Sequence, residues 1–158
     1  MPDFGFQDRH VPGLISGDKP FTLRRAWKRG TPDVGTTVGI VTGWRTKARR
    51  RVATARITFR CAVSFSEGGI EAFYDWREDA MISGLAFQVK GALQRAQVAS
   101  PLDYARRREN AEKFAGLDGF EDYAAFWRFH ASHRAAGSSP VIQRELIGLG
   151  LVVPEFAQ

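Results

Sequence analysis

The chain has 158 residues, of which 44% are hydrophobic and 25% charged, and it carries a formal net charge of +6. This composition supports a folded core, which excludes disorder as the default state, and no apolar run approaches the ~20 residues of a membrane span. The N-terminal segment contains Asp3 and Asp8 and lacks an apolar stretch, so we expect no signal peptide, no membrane partner and a cytoplasmic location.

The first third of the chain alternates short strands with turns. Strand-forming residues predict three strands, at 4–6, 21–23 and 36–42. Residues 9–16 favour one or two helical turns, which Gly17 ends. Turn-forming residues predict a loop over 27–35.

The clearest strand runs over 52–63. Its odd-numbered residues are Ala, Ile, Phe, Cys and Val, while the even-numbered ones include two Thr and two Arg. This alternation predicts one buried face and one cationic, hydroxylated face. The only cysteine, Cys61, falls on the apolar face, so we expect a buried core residue; a lone cysteine also excludes an internal disulfide and a cysteine-built zinc site.

The rest of the chain is predicted to be mainly helical, apart from a strand at 70–76. Residues 85–98 have helical spacing, and Ser-Pro-Leu-Asp at 100–103 is a strong start for a second helix that ends near residue 115. A third helix is expected over 121–132, with an aromatic stripe that is typical of a core face. A last strand is predicted over 141–153, with a break at Gly148–Gly150.

Several short strands beside a compact group of helices predict an α+β fold. The arrangement that fits best is a small β-barrel of about five to seven strands with flanking helices. We expect a single domain over residues 1–158, because the chain has the length of one ordinary domain.

Positive charge is concentrated in the first part of the chain. Residues 1–60 contain 13 Lys and Arg against 4 Asp and Glu, whereas residues 61–158 contain 10 against 13. A segregated basic half favours a polyanionic partner, of which nucleic acid is the commonest, although a solvated basic face without a partner has the same composition.

Three separated motifs occur in the order found in one known family. Residues 17–25 read Gly-Asp-Lys-Pro-Phe-Thr-Leu-Arg-Arg, residues 42–47 read Thr-Gly-Trp-Arg-Thr-Lys, and Asp-Gly-Phe occurs at 118–120. These resemble the Gly-x-Lys-x-x-Thr-Ile-Arg segment, the Thr-Gly-x-Arg-Thr-Lys turn and the Asp-Gly-Phe element of ASCH domains, a branch of the PUA-like barrels. Pro20 stands where many members have Thr, and the longer 66–112 segment predicts a helical insertion.

The resemblance implies a PUA-like barrel with a basic cleft that binds RNA, another single-stranded nucleic acid or a modified nucleoside. Some ASCH proteins are amidohydrolases that remove acyl groups from modified cytidine, and others are reported nucleases. In the amidohydrolase branch the motif Lys and Thr are implicated together with a Glu. The Lys and Thr correspond here to Lys19 and Thr22, and Glu121 or Asp118 is a candidate for the carboxylate.

Two basic bends, at 17–25 and 42–51, supply the candidate binding residues, and we expect them to converge on one crevice. Cations, hydroxyls and an aromatic ring beside a sharply turning backbone can hold a phosphate and stack a base. The predicted nucleic-acid-binding residues are Lys19, Thr22, Arg24, Arg25, Trp44, Arg45, Lys47, Arg49, Arg50, Arg51 and Arg56. Arg60 extends the run of arginines into a stripe along the long strand.

Lys19 and Thr22 leave three interpretations open. Residues three apart in a strand point to opposite faces, so both reach one cleft only if the chain turns between them. A desolvated Lys19 could act as a nucleophile or base, its ammonium could bind phosphate, or it could be an exposed lysine at a turn.

The functional alternatives are a nucleic-acid-binding module, an amidohydrolase or ribonuclease using Lys19, Thr22 and Glu121, and an adaptor that binds a protein partner through residues 66–112. His130 and His133 lie three apart on a predicted helix, a spacing that can bind a metal, but no third ligand accompanies them. We therefore predict no metal site and no cofactor.

Overall fold

The structure is a computed structural model that describes residues 1–27, 30–79, 84–97, 104–132 and 140–155. The described residues contain a short 3₁₀ turn at Asp8–His10, six strands and four α-helices. In chain order these elements are β1 (Asp3–Gly5), α1 (Val11–Ser16), β2 (Phe21–Arg24), β3 (Thr37–Thr42), β4 (Arg50–Ser66), β5 (Gly69–Glu78), α2 (Gly84–Ala96), α3 (Tyr104–Leu117), α4 (Tyr123–Ala131) and β6 (Ile142–Pro154). None of these helices has the length and apolar character needed to cross a bilayer.

The six strands form one mixed sheet in the order β1-β3-β4-β6-β2, and β5 also pairs with β4. Only the β1–β3 pair is parallel among these strands. The α+β class is therefore confirmed, with a strand count inside the predicted range. Within the described residues the path of paired strands ends at β1 and β2, so the sheet is open and barrel closure stays a prediction.

The central strand β4 is longer than predicted, with 17 residues, and its predicted apolar face is confirmed as buried. The strand contributes to two hydrophobic cores. The N-terminal core contains Phe4, Phe6, Leu14, Val38, Ile40, Ala53, Ala55, Ile57, Ile147 and Leu149. The helix-side core includes Phe21, Leu23, Phe59, Cys61, Val63, Phe65, Val89, Leu93, Phe114, Tyr123, Phe126 and Leu146. Burial raises the pKa of the Cys61 thiol to about 12, as expected for a core cysteine.

The aromatic stripe of α4 is confirmed as core. Tyr123, Phe126 and His130 are buried, and Phe126 contacts the rings of Phe65 and Phe114. Asp122 caps the helix by accepting a hydrogen bond from the Ala125 N–H (2.7 Å), which is the role expected of an Asp at this position.

The predicted insertion at 66–112 is partly strand, because it contains β5, which pairs with β4. Its helix α2 packs Val89 and Leu93 into the helix-side core, while Phe87 is 81% exposed. The segment therefore contributes residues to the helix-side core, which also contains residues of the sheet.

The predicted break in the last strand is wrong, since β6 continues without interruption to Pro154. The two glycines are needed for close packing. A Cβ on Gly148 would clash with the Phe59 ring, and one on Gly150 would lie 2.8 Å from the Thr58 Cγ2. They allow β4 and β6 to pair closely where the register of that pair shifts.

Three predicted features fall outside the described residues. They are the Lys28-Arg29 part of the first long loop, the helix start at 100–103 and the segment 133–139, which includes His133.

Candidate functional site

A cleft of about 270 Å³ brings together four separated parts of the chain. We call it the Lys19 cleft. It is lined by Gly5, Phe6, Gln7, Arg9, His10, Lys19, Thr22, Leu23, Arg24, Arg25, Asp118, Phe120, Phe129, His130 and Arg144. Five of these side chains are cationic and one is a carboxylate, and three are phenylalanines.

The turn between α1 and β2 explains why Lys19 and Thr22 line the same cleft. Gly17 ends α1 with a left-handed φ of 88°, and the Lys19 N–H donates to the Gly13 carbonyl (3.0 Å). Lys19 thus precedes the strand, so the alternation that begins at Phe21 does not apply to it. Within β2, Phe21 packs in the helix-side core while Thr22 lines the cleft. The turn therefore covers residues 17–19, and it does not lie between Lys19 and Thr22 as expected from the sequence.

Lys19 is held by Asp118 in a buried ion pair. Its Nζ lies 2.6 Å from Asp118 Oδ1 and donates to the Asp118 carbonyl oxygen at 2.7 Å. The two side chains are only 8% and 5% exposed, so the interpretation of Lys19 as an exposed turn lysine is wrong. Because Asp118 neutralises Lys19, the pair contributes polar atoms but no net charge to the lining of the cleft.

His130 lies on the far side of the same carboxylate. Its Nε2 is 3.9 Å from Asp118 Oδ2, and its ring packs edge-on against Phe126 and Phe129. The aromatic surroundings shield the His130–Asp118 pair from solvent. Among the described residues no group of three or more His, Cys, Asp or Glu side chains forms a metal site.

Arg24 connects several parts of the cleft wall. Its Nε donates to Thr22 Oγ1 (3.1 Å) and its Nη2 donates to the Gly5 carbonyl (2.6 Å). The guanidinium lies 4.7 Å from the Phe6 ring centroid and 5.6 Å from that of Phe4. Burial lowers the pKa of Arg24, and Asp118 opposes this effect. Because β1 and β2 are the ends of the open sheet, the Arg24 side chain joins them where a closed barrel would have a strand pair.

The remaining cations are crowded together. Burial lowers the pKa of Arg144, and the charge of Arg25 lowers it further. Burial also lowers the pKa of His10 below its ordinary value of 6.5, with Lys19 and Arg9 as the next causes. Burial is the largest cause of each of these shifts, and neighbouring cations add to it for His10 and Arg144.

A second, larger cleft of about 650 Å³ adjoins the first. We call it the Trp44 cleft. It shares four residues with the Lys19 cleft, and its own lining adds aromatic and acidic side chains. The shared residues are Gly5, Phe6, Gln7 and Arg24, and the additional ones are Asp3, Phe4, Asp8, Trp27, Gly43 and Trp44.

The predicted basic residues therefore separate into distinct environments. Lys19, Thr22, Arg24 and Arg25 line the Lys19 cleft, and Trp44 lines the adjoining one. The predicted residues that are exposed and outside the lining of both clefts are Arg45, Lys47, Arg49, Arg50, Arg51 and Glu121.

Ion pairs occupy most of the predicted arginine stripe. Arg49 and Arg51 both pair with Asp3, at 3.1 and 2.9 Å. Arg56 pairs with Asp79 at 2.8 Å. Farther along β4, Arg60 lies near two acidic side chains, 3.9 Å from Asp33 and 3.8 Å from Glu145. The stripe is thus largely neutralised by the protein itself.

Sequence reasoning missed several residues that the fold brings to the Lys19 cleft, including His10, Arg144 and Phe129. Arg144 stands between Gln143 and Glu145 in the polar first part of β6, so it gave no signal in the sequence. His10 and Phe129 gave none either, since only the tertiary arrangement places α1 and α4 beside β2.

Comparison with models of known protein families, with curated proteins and with solved structures found no match for this chain.

Proposed function

We propose that the protein binds a nucleotide, as part of a nucleic acid or as a modified nucleotide, in the Lys19 cleft. The observation that carries this proposal is the convergence of Arg24, Arg25 and Arg144 on a cleft whose single carboxylate, Asp118, is already paired with Lys19. Guanidinium groups bind phosphate through paired, charge-assisted hydrogen bonds, so this arginine-rich lining favours a phosphate.

The aromatic part of the lining suits the other half of a nucleotide. Phe6 follows β1 and is buried, while Phe120 and Phe129 come from the turn before α4 and from α4 itself, and Phe129 is 43% exposed. Exposed aromatic faces beside cationic side chains stack bases while the cations hold the phosphate. The volume of about 270 Å³ lies just below the ~300–1,000 Å³ typical of small-ligand sites.

The similarity to ASCH domains belongs to the same proposal. A PUA-like barrel would require β1 and β2 to approach each other, and the Arg24–Gly5 hydrogen bond supports that arrangement. The motif residues Lys19, Thr22 and Arg24 line one cleft, as the family resemblance implies.

Calorimetric titration tests the proposal with the four nucleoside 5′-monophosphates, the matching nucleosides and inorganic phosphate. We expect a monophosphate to bind more tightly than its nucleoside, with an affinity that falls as salt rises. Arg144→Gln should weaken binding about tenfold, because a hydrogen bond to a charged group contributes about 1.5–3 kcal/mol. Arg128→Gln is the matched control, since Arg128 is exposed on α4 outside the cleft lining. Absence of binding by every monophosphate would contradict the proposal.

A second candidate, an amidohydrolase acting on N4-acylated cytidine, is favoured by the buried Lys19–Asp118 pair in a cleft that Thr22 also lines. Water would add to the amide carbonyl and the C–N bond would break, releasing cytidine and the free acid. Lys19 and Asp118 would move the proton between water and the leaving nitrogen, and Thr22 would orient Lys19.

Incubation with N4-acetylcytidine, followed by chromatography for cytidine, tests this candidate. Thr22→Val keeps the shape of the side chain and removes its hydroxyl, so it should lower turnover without unfolding the protein. An intact RNA oligonucleotide in the same assay tests ribonuclease activity. If neither substrate is consumed, the function is binding alone.

A further inference from the structure

We propose that the ligand is a single-stranded nucleic acid that occupies both clefts, with one nucleotide in the Lys19 cleft and its neighbour in the Trp44 cleft. This inference rests on the proposed function and extends it, because a lone nucleotide would use only the first cleft.

The two clefts adjoin each other. Both are lined by Gly5, Phe6, Gln7 and Arg24, so a ligand that extends out of one cleft meets the other at these four residues. The second cleft, at about 650 Å³, lies by itself within the ~300–1,000 Å³ typical of small-ligand sites, so it has room for a second nucleotide.

Trp44 provides an aromatic surface in the second cleft. Its indole packs against Gly5, where an added Cβ would lie 3.0 Å from the ring atoms Cγ and Cδ2. The Arg49 guanidinium lies 4.5 Å from the indole centroid, which fixes the ring from another side. Trp44 nevertheless stays 43% exposed. Because the indole is already held in place and remains accessible, a base can stack on it with little further loss of side-chain entropy.

Arg24 is placed to bind the phosphate between the two nucleotides. It lines both clefts. Its bonds to Thr22 and Gly5 use two N–H groups in the described part of the structure, and a guanidinium has five. The remaining donors can contact a linking phosphate at the junction.

The acidic residues of the Trp44 cleft are Asp3 and the exposed Asp8. Asp3 is paired with both Arg49 and Arg51, so it adds no net negative charge to the cleft. Arg45 and Lys47 are exposed on the same turn as Trp44 and strengthen the positive potential nearby. Stacking in two separate hollows requires unpaired bases, which favours a single strand over a duplex.

The experiment compares binding of a uridine monophosphate, a uridine trinucleotide and the matching deoxyuridine trinucleotide by calorimetry. We expect the trinucleotides to bind about tenfold more tightly than the monophosphate, because base–aromatic stacking contributes on this scale. Trp44→Ala should remove that gain and leave monophosphate binding within twofold, because Trp44 is outside the Lys19 cleft. Phe87→Ala, an exposed aromatic on α2, is the matched control.

Each outcome decides the inference. Loss of the trinucleotide gain in Trp44→Ala alone supports it, and a difference between the RNA and DNA trinucleotides identifies which polymer is preferred. Equal affinity of monophosphate and trinucleotides would overturn it while leaving the proposed function intact. Failure of all three ligands to bind would overturn both.

Discussion

The ammonium of Lys19 lies 2.6 Å from the carboxylate of Asp118, although 99 positions separate the two residues in the chain. The pair joins the turn before β2 to the turn between α3 and α4. It thereby fixes the two walls of the Lys19 cleft relative to each other. An ion pair at this depth is stable only while both partners are present, since each alone would be a buried, uncompensated charge.

Removing either partner of this pair should destabilise the protein strongly. We expect Lys19→Met and Asp118→Asn each to lower the free energy of unfolding by about 3–5 kcal/mol, the usual cost of breaking a buried pair. The double variant should lose much less than the sum of the two, because it leaves no unpaired charge. Urea denaturation of the four proteins measures the coupling. A cost below about 1 kcal/mol for both single variants would show that Lys19 and Asp118 are not paired in solution.

The sequence predicted the individual strands and helices of this fold better than it predicted whether the sheet closes into a barrel. Period-two alternation identified β4 correctly, because its odd-numbered apolar residues from Ala53 to Val63 all lie on one buried face, although Thr58 on the other face is buried as well. The break predicted in β6 failed because Gly148 and Gly150 resemble a turn in sequence, whereas in the structure they make room for Phe59 and Thr58. The secondary-structure propensities of neighbouring residues do not reveal where two strands pack closely.

Only the site residues that lie in one continuous segment of the chain could be predicted from the sequence. Lys19, Thr22 and Arg24 are close in sequence, and their shared cleft follows from a turn that the sequence also shows. The partner of Lys19 was among two candidate carboxylates, and only the packing of α3 and α4 distinguishes Asp118 from the exposed Glu121. Arg144 is contributed by β6, so it was invisible without the strand order.

The packing at Gly148 gives a stability prediction. Gly148→Ala should destabilise the protein by about 1–3 kcal/mol, because the new methyl group overlaps the buried Phe59 ring. Gly116→Ala in α3 is the matched control: its Cβ would meet no atom within 4 Å, and alanine favours a helix by about 1 kcal/mol over glycine. Thermal unfolding followed by circular dichroism should show opposite shifts in Tm. Shifts of the same sign would mean that β4 and β6 do not pack as described.

Arg24 should not tolerate replacement by lysine. A lysine ammonium cannot reach Thr22 and the Gly5 carbonyl in the fork geometry of a guanidinium. We expect Arg24→Lys to lower the free energy of unfolding by about 1–3 kcal/mol and to weaken nucleotide binding. Arg25→Lys is the control: Arg25 is exposed, so its replacement should change stability by less than about 0.5 kcal/mol. If the two variants are equally stable in urea, the hydrogen bonds of Arg24 do not stabilise the fold.

The pH dependence of binding should follow His10. Burial and the charges of Lys19, Arg9 and Arg24 lower its pKa below 6.5, while Asp118 opposes them, so His10 is neutral in the free protein at pH 7. A phosphate in the cleft would raise that pKa, so binding takes up a proton and tightens as pH falls toward the lowered pKa of His10 in the free protein.

A uridine 5′-methyl phosphodiester is the suitable probe, because its single charge does not change between about pH 5.5 and 7.5, unlike that of a phosphomonoester with a pKa near 6. We expect its affinity to rise several-fold across this range for the native protein and to stay flat for His10→Gln. A depressed folded pKa also means that the ligand-free protein loses stability as pH falls through 6.5, so circular dichroism must confirm folding at the lowest pH. If His10→Gln keeps the full pH dependence, the proton is taken up elsewhere, and His130 beside Asp118 is the next residue to substitute.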